Sequence, residues 1–196
     1  MIRRATTTIQ VDENMVLRPA NTTHSLPLIE AFEETWPEVS RAMPWILPEQ
    51  DTVTQIEEFL DEAERMGRVG RMHHWVILRP WDSTILGLIG FDTVTRTVEA
   101  DWNLGYWIRS SEQRRGAATR AIEAVLLWLG ALENTQVELK VDPNNIPGKH
   151  TVERTVRKWS GSRSIQGDSS ITVAGIRTEH ECHVIEVGPN KSPKLE

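Results

Sequence analysis

One junction limits the folds open to this chain more than any other feature: an apolar strand, a loop of small and basic residues, and a helix that begins on glycine. Leu104-Gly105-Tyr106-Trp107-Ile108 ends a strand running from Ala100 to Ile108. Gly116 opens a helix to about Leu132, with Ala118, Ile122, Val125, Leu129 and Leu132 at helical spacing. Between them lies Gln113-Arg114-Arg115-Gly116-Ala117-Ala118-Thr119-Arg120. The first amides of a helix have no intrahelical acceptor and carry the positive end of its dipole, which suits a pyrophosphate. Gly116, Ala117 and Ala118 keep side chains out of the way, while Arg114, Arg115 and Thr119 bring charge and a hydroxyl. Small residues also serve an ordinary helix start, so the junction alone leaves both readings open. Val137-Glu138-Leu139-Lys140-Val141 then alternates as a strand does, which completes a strand-helix-strand crossover.

Around that unit the periodicities predict a mixed sheet covered by helices. Thr8 to Val11 and Met15 to Arg18 read as strands about a polar turn. A helix follows Ser25, and the proline-bearing stretch from Trp36 to Gln50 reads as irregular. Thr52 and Gln55 stand in capping-box spacing before Val53, Ile56, Leu60 and Ala63, which recur at helical spacing. His74 to Leu78 and Ile85 to Phe91 read as strands, the second apolar throughout and hence buried on both faces. A helix is expected from Pro147 to Lys158. Ile171 to Val173 and His183 to Val187 read as a closing hairpin, and Gly188 to Glu196 as a frayed tail.

Composition narrows the function classes. The 196 residues fit one domain over 1–196, with a core of about 8–188 and flexible ends. Net charge is −6, which argues against nucleic acid as the main partner and is compatible with a cationic acceptor. No apolar stretch approaches a bilayer span, and Arg3 and Arg4 have no apolar stretch behind them, so neither a membrane segment nor a signal peptide is expected. A lone cysteine, Cys182, fits a reducing compartment, and the expected localisation is cytoplasmic. The eight tryptophans read mainly as core and interface residues, with an acceptor-pocket role open to Trp36 and Trp45.

Gln113 to Ala118 resembles the coenzyme A signature of the GNAT acyltransferase superfamily, Gln/Arg-x-x-Gly-x-Gly/Ala. Leu104 to Ile108 is similar to the "LGYWI" strand of the subgroup that acetylates N-termini of ribosomal proteins. Asp142-Pro143-Asn144-Asn145, with Lys149, Glu153, Arg154 and Gly161, resembles that subgroup's later helix, and Leu17-Arg18-Pro19-Ala20 and Met43-Pro44-Trp45-Ile46 resemble its start. The resemblance implies an α/β (α+β) fold: a mixed, mostly antiparallel sheet flanked by helices, with a splayed strand pair holding CoA. It implies acetyl-CoA as co-substrate and a homodimer. Pantetheine would lie against Trp107 and Ile108 on a bulged strand. Pyrophosphate would lie on the loop and helix start from Gln113 to Thr119, with Asn145 on the far side.

Acetyl transfer to an amine needs three things: a proton acceptor for the ammonium, a donor for the tetrahedral oxyanion, and a proton for the leaving thiolate. Glu99, Asp101 and Asp92 are the nearest carboxylates by sequence, each also readable as a solvated strand-end acid. Asn103 stands where many relatives carry Glu. Gly148 replaces the serine of Asn-x-x-Ser, a candidate thiol donor, and Val156-Arg157 replaces Gly-Phe. The resemblance implies a protein N-terminal amine as the acceptor. The alternatives are a small-molecule amine (a polyamine, amino acid or aminoglycoside-type compound) and a non-catalytic acyl-CoA sensor. His73-His74 and His180-Glu181-Cys182-His183 make poor metal sites: the first lacks a second ligand pair, and the second splits across a strand's faces.

Overall fold

An eight-residue strand buried from end to end except at its last position lies near the middle of the molecule: Ile85–Asp92, β4. In the computed structural model, residues 4–43, 45–47, 49–93, 96–173 and 176–194 are described. The other strands are β1 (Ile9–Asp12), β2 (Met15–Pro19), β3 (His73–Leu78), β5 (Trp102–Ile108), β6 (Thr135–Val141), β7 (Ser162–Arg163), β8 (Ser169–Val173) and β9 (Ile176–Val187). The helices are α1 (Ser25–Thr35), α2 (Thr52–Arg68), α3 (Ala117–Gly130) and α4 (Ile146–Lys158). The sheet order is β1-β2-β3-β4-β5-β6-β9-β7, with β8 paired to β9. The strand pairs are antiparallel except β5 with β6, which α3 connects. The expected mixed, mostly antiparallel sheet flanked by helices is therefore what forms.

The two faces carry separate cores because strand side chains alternate. On one face α3 sets Ala117, Ala121, Ile122, Val125 and Leu126 against Trp75, Ile89, Phe91, Trp102, Leu104 and Leu139. On the other, α1 and α2 bring Leu28, Phe32, Ile56 and Leu60 onto Val76, Leu78, Leu88 and Trp107. The α3 face is rotated from the sequence expectation. Ala118 and Leu129 are only half-buried and Leu132 is exposed, while Ala121 and Leu126 point inward. Val53 likewise faces solvent.

Two local expectations are corrected. α2 is capped by Asp51, whose carboxylate accepts the Thr54 N–H at 2.8 Å; Gln55 turns back instead to pair with both backbone groups of Leu47. An acid ahead of the helix outcompetes threonine as a cap because it is charged as well as short. The closing hairpin forms between β8 and the first part of β9, Ile176 to His180, whereas Glu181 to Val187 pairs with β6. In the tail the Lys191 N–H closes a turn onto Gly188, and the Lys194 N–H bonds Lys158. Among the described residues no helix is long and apolar enough to cross a membrane.

Candidate functional site

The parallel ladder between β5 and β6 stops early. It runs from Trp102↔Val137 to Leu104↔Leu139, although β5 continues to Ile108 and β6 to Val141. Beyond Leu104, β5 remains bonded to β4 through Gly87↔Ile108, and β6 remains bonded to β9 through Val141↔Glu181. Each strand follows its outer partner, so a gap opens between them with Trp107 and Ile108 on its rim. Backbone groups on such an open edge can pair with amides of an extended ligand. The expected bulge is not in β5, whose register with β4 is unbroken from Asp92↔Asn103 onward. It lies one strand away, where β4 gains Leu86 against β3. Gly87 makes the crowding there tolerable, since a Cβ at 87 would lie 2.1 Å from the Trp107 carbonyl oxygen.

From the gap the chain passes directly into the helix start singled out above. The Arg109 N–H bonds Leu86 at 2.8 Å, a 3-10 turn covers Ser110–Glu112, and Gln113 Nε2 donates back to the Ile108 carbonyl at 3.0 Å. Arg114 (φ 61°) and Gly116 (φ 75°) then take left-handed conformations that turn the backbone into α3. No side chain caps α3, and a Cβ on Gly116 would meet nothing within 4 Å. Arg114 and Arg115 are exposed, Thr119 and Ala118 half-buried, Ala117 buried. Arg115 pairs with Glu112 at 3.2 Å, and Arg79 holds the other oxygen of that carboxylate. The result is an uncapped, positively charged helix terminus with clear space in front of it.

The end of α1 fixes this loop in place. Ser110 and Ser111 N–H groups bond Thr35 Oγ1 at 3.2 Å and Glu34 Oε1 at 2.8 Å. Arg109 reaches Glu34 and Glu30. The Arg109 guanidinium, then the Ser111 N–H, hold the Glu34 carboxyl down at about 2.

Asn145 stands across the gap as the cap of α4, its Oδ1 accepting the Gly148 N–H at 3.1 Å. A Cβ on Gly148 would lie 2.6 Å from Asn145 Nδ2, so the amide occupies the room a serine there would need. Nearby, burial pushes the Tyr106 phenol up to about 12, opposed by a hydrogen bond with Thr151.

The three carboxylates have different surroundings. Asp101 accepts from Thr135 Oγ1 at 2.9 Å and the Gln136 N–H at 3.0 Å, which binds the base of β5 to β6. Glu99 accepts from Ser164 Oγ at 2.6 Å. Asp92 ends β4 on the α1–α2 face, where Asn103 Nδ2 donates to it at 3.1 Å. Two groups the sequence did not single out as acids or bases share that face. Glu138 is fully buried opposite Asn103, with Oε2 accepting from the Thr97 N–H and Oε1 lacking a hydrogen bond. His74 lies opposite Gly90 and feels the Asp92 charge. Only register, invisible in a linear sequence, brings them together. Trp45 approaches as well, stacked on Phe59, which meets the His74 ring edge-on. Among the described residues no group of three or more His, Cys, Asp or Glu side chains could hold a metal ion.

Residues 14–155 match the family profile described as acetyltransferase (GNAT) domain. A search of curated proteins finds no match. Three solved structures are similar. A ribosomal-protein-alanine acetyltransferase from Vibrio fischeri is 14% identical, covering 95% of this chain and 99% of that one, with a TM-score of 0.72. RimL, a ribosomal α-N-protein acetyltransferase in complex with coenzyme A, is 12% identical, with coverage of 93% and 99% and a TM-score of 0.73. The microcin C7 self-immunity acetyltransferase MccE, in complex with acetyl-CoA and AMP, is 13% identical, with coverage of 91% and 95% and a TM-score of 0.69. At these identities the likeness is one of fold.

Proposed function

This chain belongs to the GNAT acetyltransferase family and takes acetyl-CoA as co-substrate for transfer to an amine, and from that premise we propose that the acceptor is a protein N-terminal α-amine, of the ribosomal-protein type, acetylated by direct attack in a ternary complex. The observation that carries the cofactor half is the gap between β5 and β6 leading straight to an uncapped helix start. Pantetheine lies along Trp107 and Ile108. Pyrophosphate sits on the amides of Arg115 to Ala118, helped by Gln113, Arg114, Arg115 and Thr119, and Asn145 lies on the far side. Of the three carboxylates, Asp92 is the one that supports removal of the ammonium proton, because it ends β4 on the face shared with His74 and Asn103. Asp101 and Glu99 serve as ties to β6 and to Ser164.

The test is calorimetric titration with acetyl-CoA, followed by thiol release with seryl- and alanyl-initiated peptides, polyamines and aminoglycosides. Micromolar binding with release confined to the peptides supports the reading. Release with a polyamine or aminoglycoside instead moves the acceptor to small molecules, and binding without release points to an acyl-CoA sensor.

A further inference from the structure

Two glycines lie abreast on the α1–α2 face, Gly90 on β4 and Gly105 on β5, in register with His74 on β3. They are not equivalent. A Cβ on Gly90 would lie 2.2 Å from His74 Cδ2, so the imidazole fills the space a side chain at 90 would need. A Cβ on Gly105 would meet nothing within 4 Å. The floor between His74 and the β5 edge is therefore bare backbone, and that edge is where β5 parts from β6. Strand alternation puts Asn103 and Trp107 on either side of Gly105, and Asn103 holds Asp92 at 3.1 Å. His74 Nδ1 and Trp107 Nε1 are both buried without a hydrogen-bond partner, which buried polar atoms in folded proteins rarely tolerate.

Resting on the acetyl-transfer reading above, we infer that the acceptor amine is seated over Gly105 and gives its proton to the His74–Asp92 pair. The incoming ammonium loses one proton to the imidazole, leaving an imidazolium beside the Asp92 carboxylate. The free amine then attacks the thioester carbonyl carbon and the C–N bond forms. As the tetrahedral intermediate collapses, the C–S bond breaks, and the second nitrogen proton passes to the departing thiolate. The imidazolium proton goes to solvent.

Burial pulls His74 down to about 4, so the ring is neutral at pH 7, and the Asp92 charge is what favours its protonated form. Asp92 on β4 is the charged group acting on the ring; α2 presents Phe59, the Ala20 N–H just past β2 holds the His74 backbone carbonyl, and His73 is its neighbour in the chain.

The seat is tested with a bisubstrate probe, CoA joined through its sulfur and an acetyl bridge to the N-terminal nitrogen of a peptide, with free CoA as control. Gly105 has no left-handed backbone and open space above it, so Gly105→Ala folds. It is expected to bind free CoA within twofold of the parent and the probe at least tenfold more weakly. Unchanged probe affinity, or equal weakening of both ligands, overturns the seat. The proton role is read from pH profiles of kcat/KM with the best peptide. His74→Gln, or His74→Asn should the first not fold, is expected to follow the amine's own ionisation, with activity at pH 6 down at least tenfold more than at pH 9. A profile superimposable on the parent overturns it, as does absence of thiol release with any peptide when CoA binds. Failure of the parent to bind CoA signals failure of the acetyl-transfer reading itself.

Discussion

At the scale of single residues, Gly148 shows how a substitution in a motif can follow from packing. The Asn145 amide lies where a side chain at 148 would project. Gly148→Ser therefore pushes the α4 cap out of position, at a cost of about 1 kcal/mol, which lowers Tm by roughly 2–4 °C in a chain of this size. Thermal unfolding checks this. A second residue-scale expectation concerns acid. Burial holds His73 at about 4, below its ordinary value, so folding favours the neutral ring; stability is complete above pH 6.5 and is lost as pH falls toward 4. Glu34 is held at about 2 by Arg109 and Ser111, so its contribution is complete above the usual glutamate range and is lost as pH falls from about 4.3 toward 2. Chemical denaturation from pH 7 to pH 3 is expected to show both windows, and His73→Gln to shrink the upper one, which His74 shares. Neither residue advertised this in the sequence. His73 is shielded by the aromatic rings of Trp75, Trp102 and Trp128, and Glu34 meets Arg109 across 75 positions of chain.

Elements were more legible than their contacts. α3 and β6 were placed to within a few residues because their apolar periodicities are long and unbroken. The loop between β5 and α3 was legible because a glycine, two alanines and two arginines crowd into one turn. Strand pairing was not. The β9 segment carries one alternating pattern, yet half of it pairs with β8 and half with β6. The bulge sits in β4 because Gly87 lets the backbone pass close to Trp107, a three-dimensional requirement with no local signature. At this scale the α3 terminus makes the sharpest prediction. Gly116→Glu costs about 1 kcal/mol from its left-handed backbone and clashes with nothing, so the fold should survive. Its carboxylate, placed before the helix amides, should weaken acetyl-CoA at least a hundredfold, while Gly116→Ala should change affinity by no more than a few-fold. Equal affinities by calorimetry for the two variants would remove the helix terminus from the cofactor site.

Across the whole molecule, the two cores on opposite faces of the sheet are held together partly by a segment that precedes every strand and helix. Thr6 bonds Gly67 at the end of α2 and, through its hydroxyl, His73 Nδ1 at 2.8 Å. Thr7 accepts Trp75 Nε1 through its carbonyl and Trp128 Nε1 through its hydroxyl, both at 2.8 Å, and the Arg4 guanidinium lies 3.4 Å over the Trp128 ring. The strap thus joins α2 on one face to α3 on the other around the start of β3. Before the fold is known, these residues read only as a polar, threonine-rich lead-in. Removing residues 1–7 strips the partner from the indole N–H of Trp75, a fully buried side chain. An orphaned buried donor costs about 1–3 kcal/mol, and with the Arg4–Trp128 contact also lost, Tm should fall by roughly 5–10 °C. Acetyl-CoA affinity should stay within twofold, because the strap meets the end of α3 opposite to Gly116. A truncation that instead weakened acetyl-CoA while leaving Tm unchanged would mean that the strap acts on the cofactor end of α3 and not as the tie between the two faces.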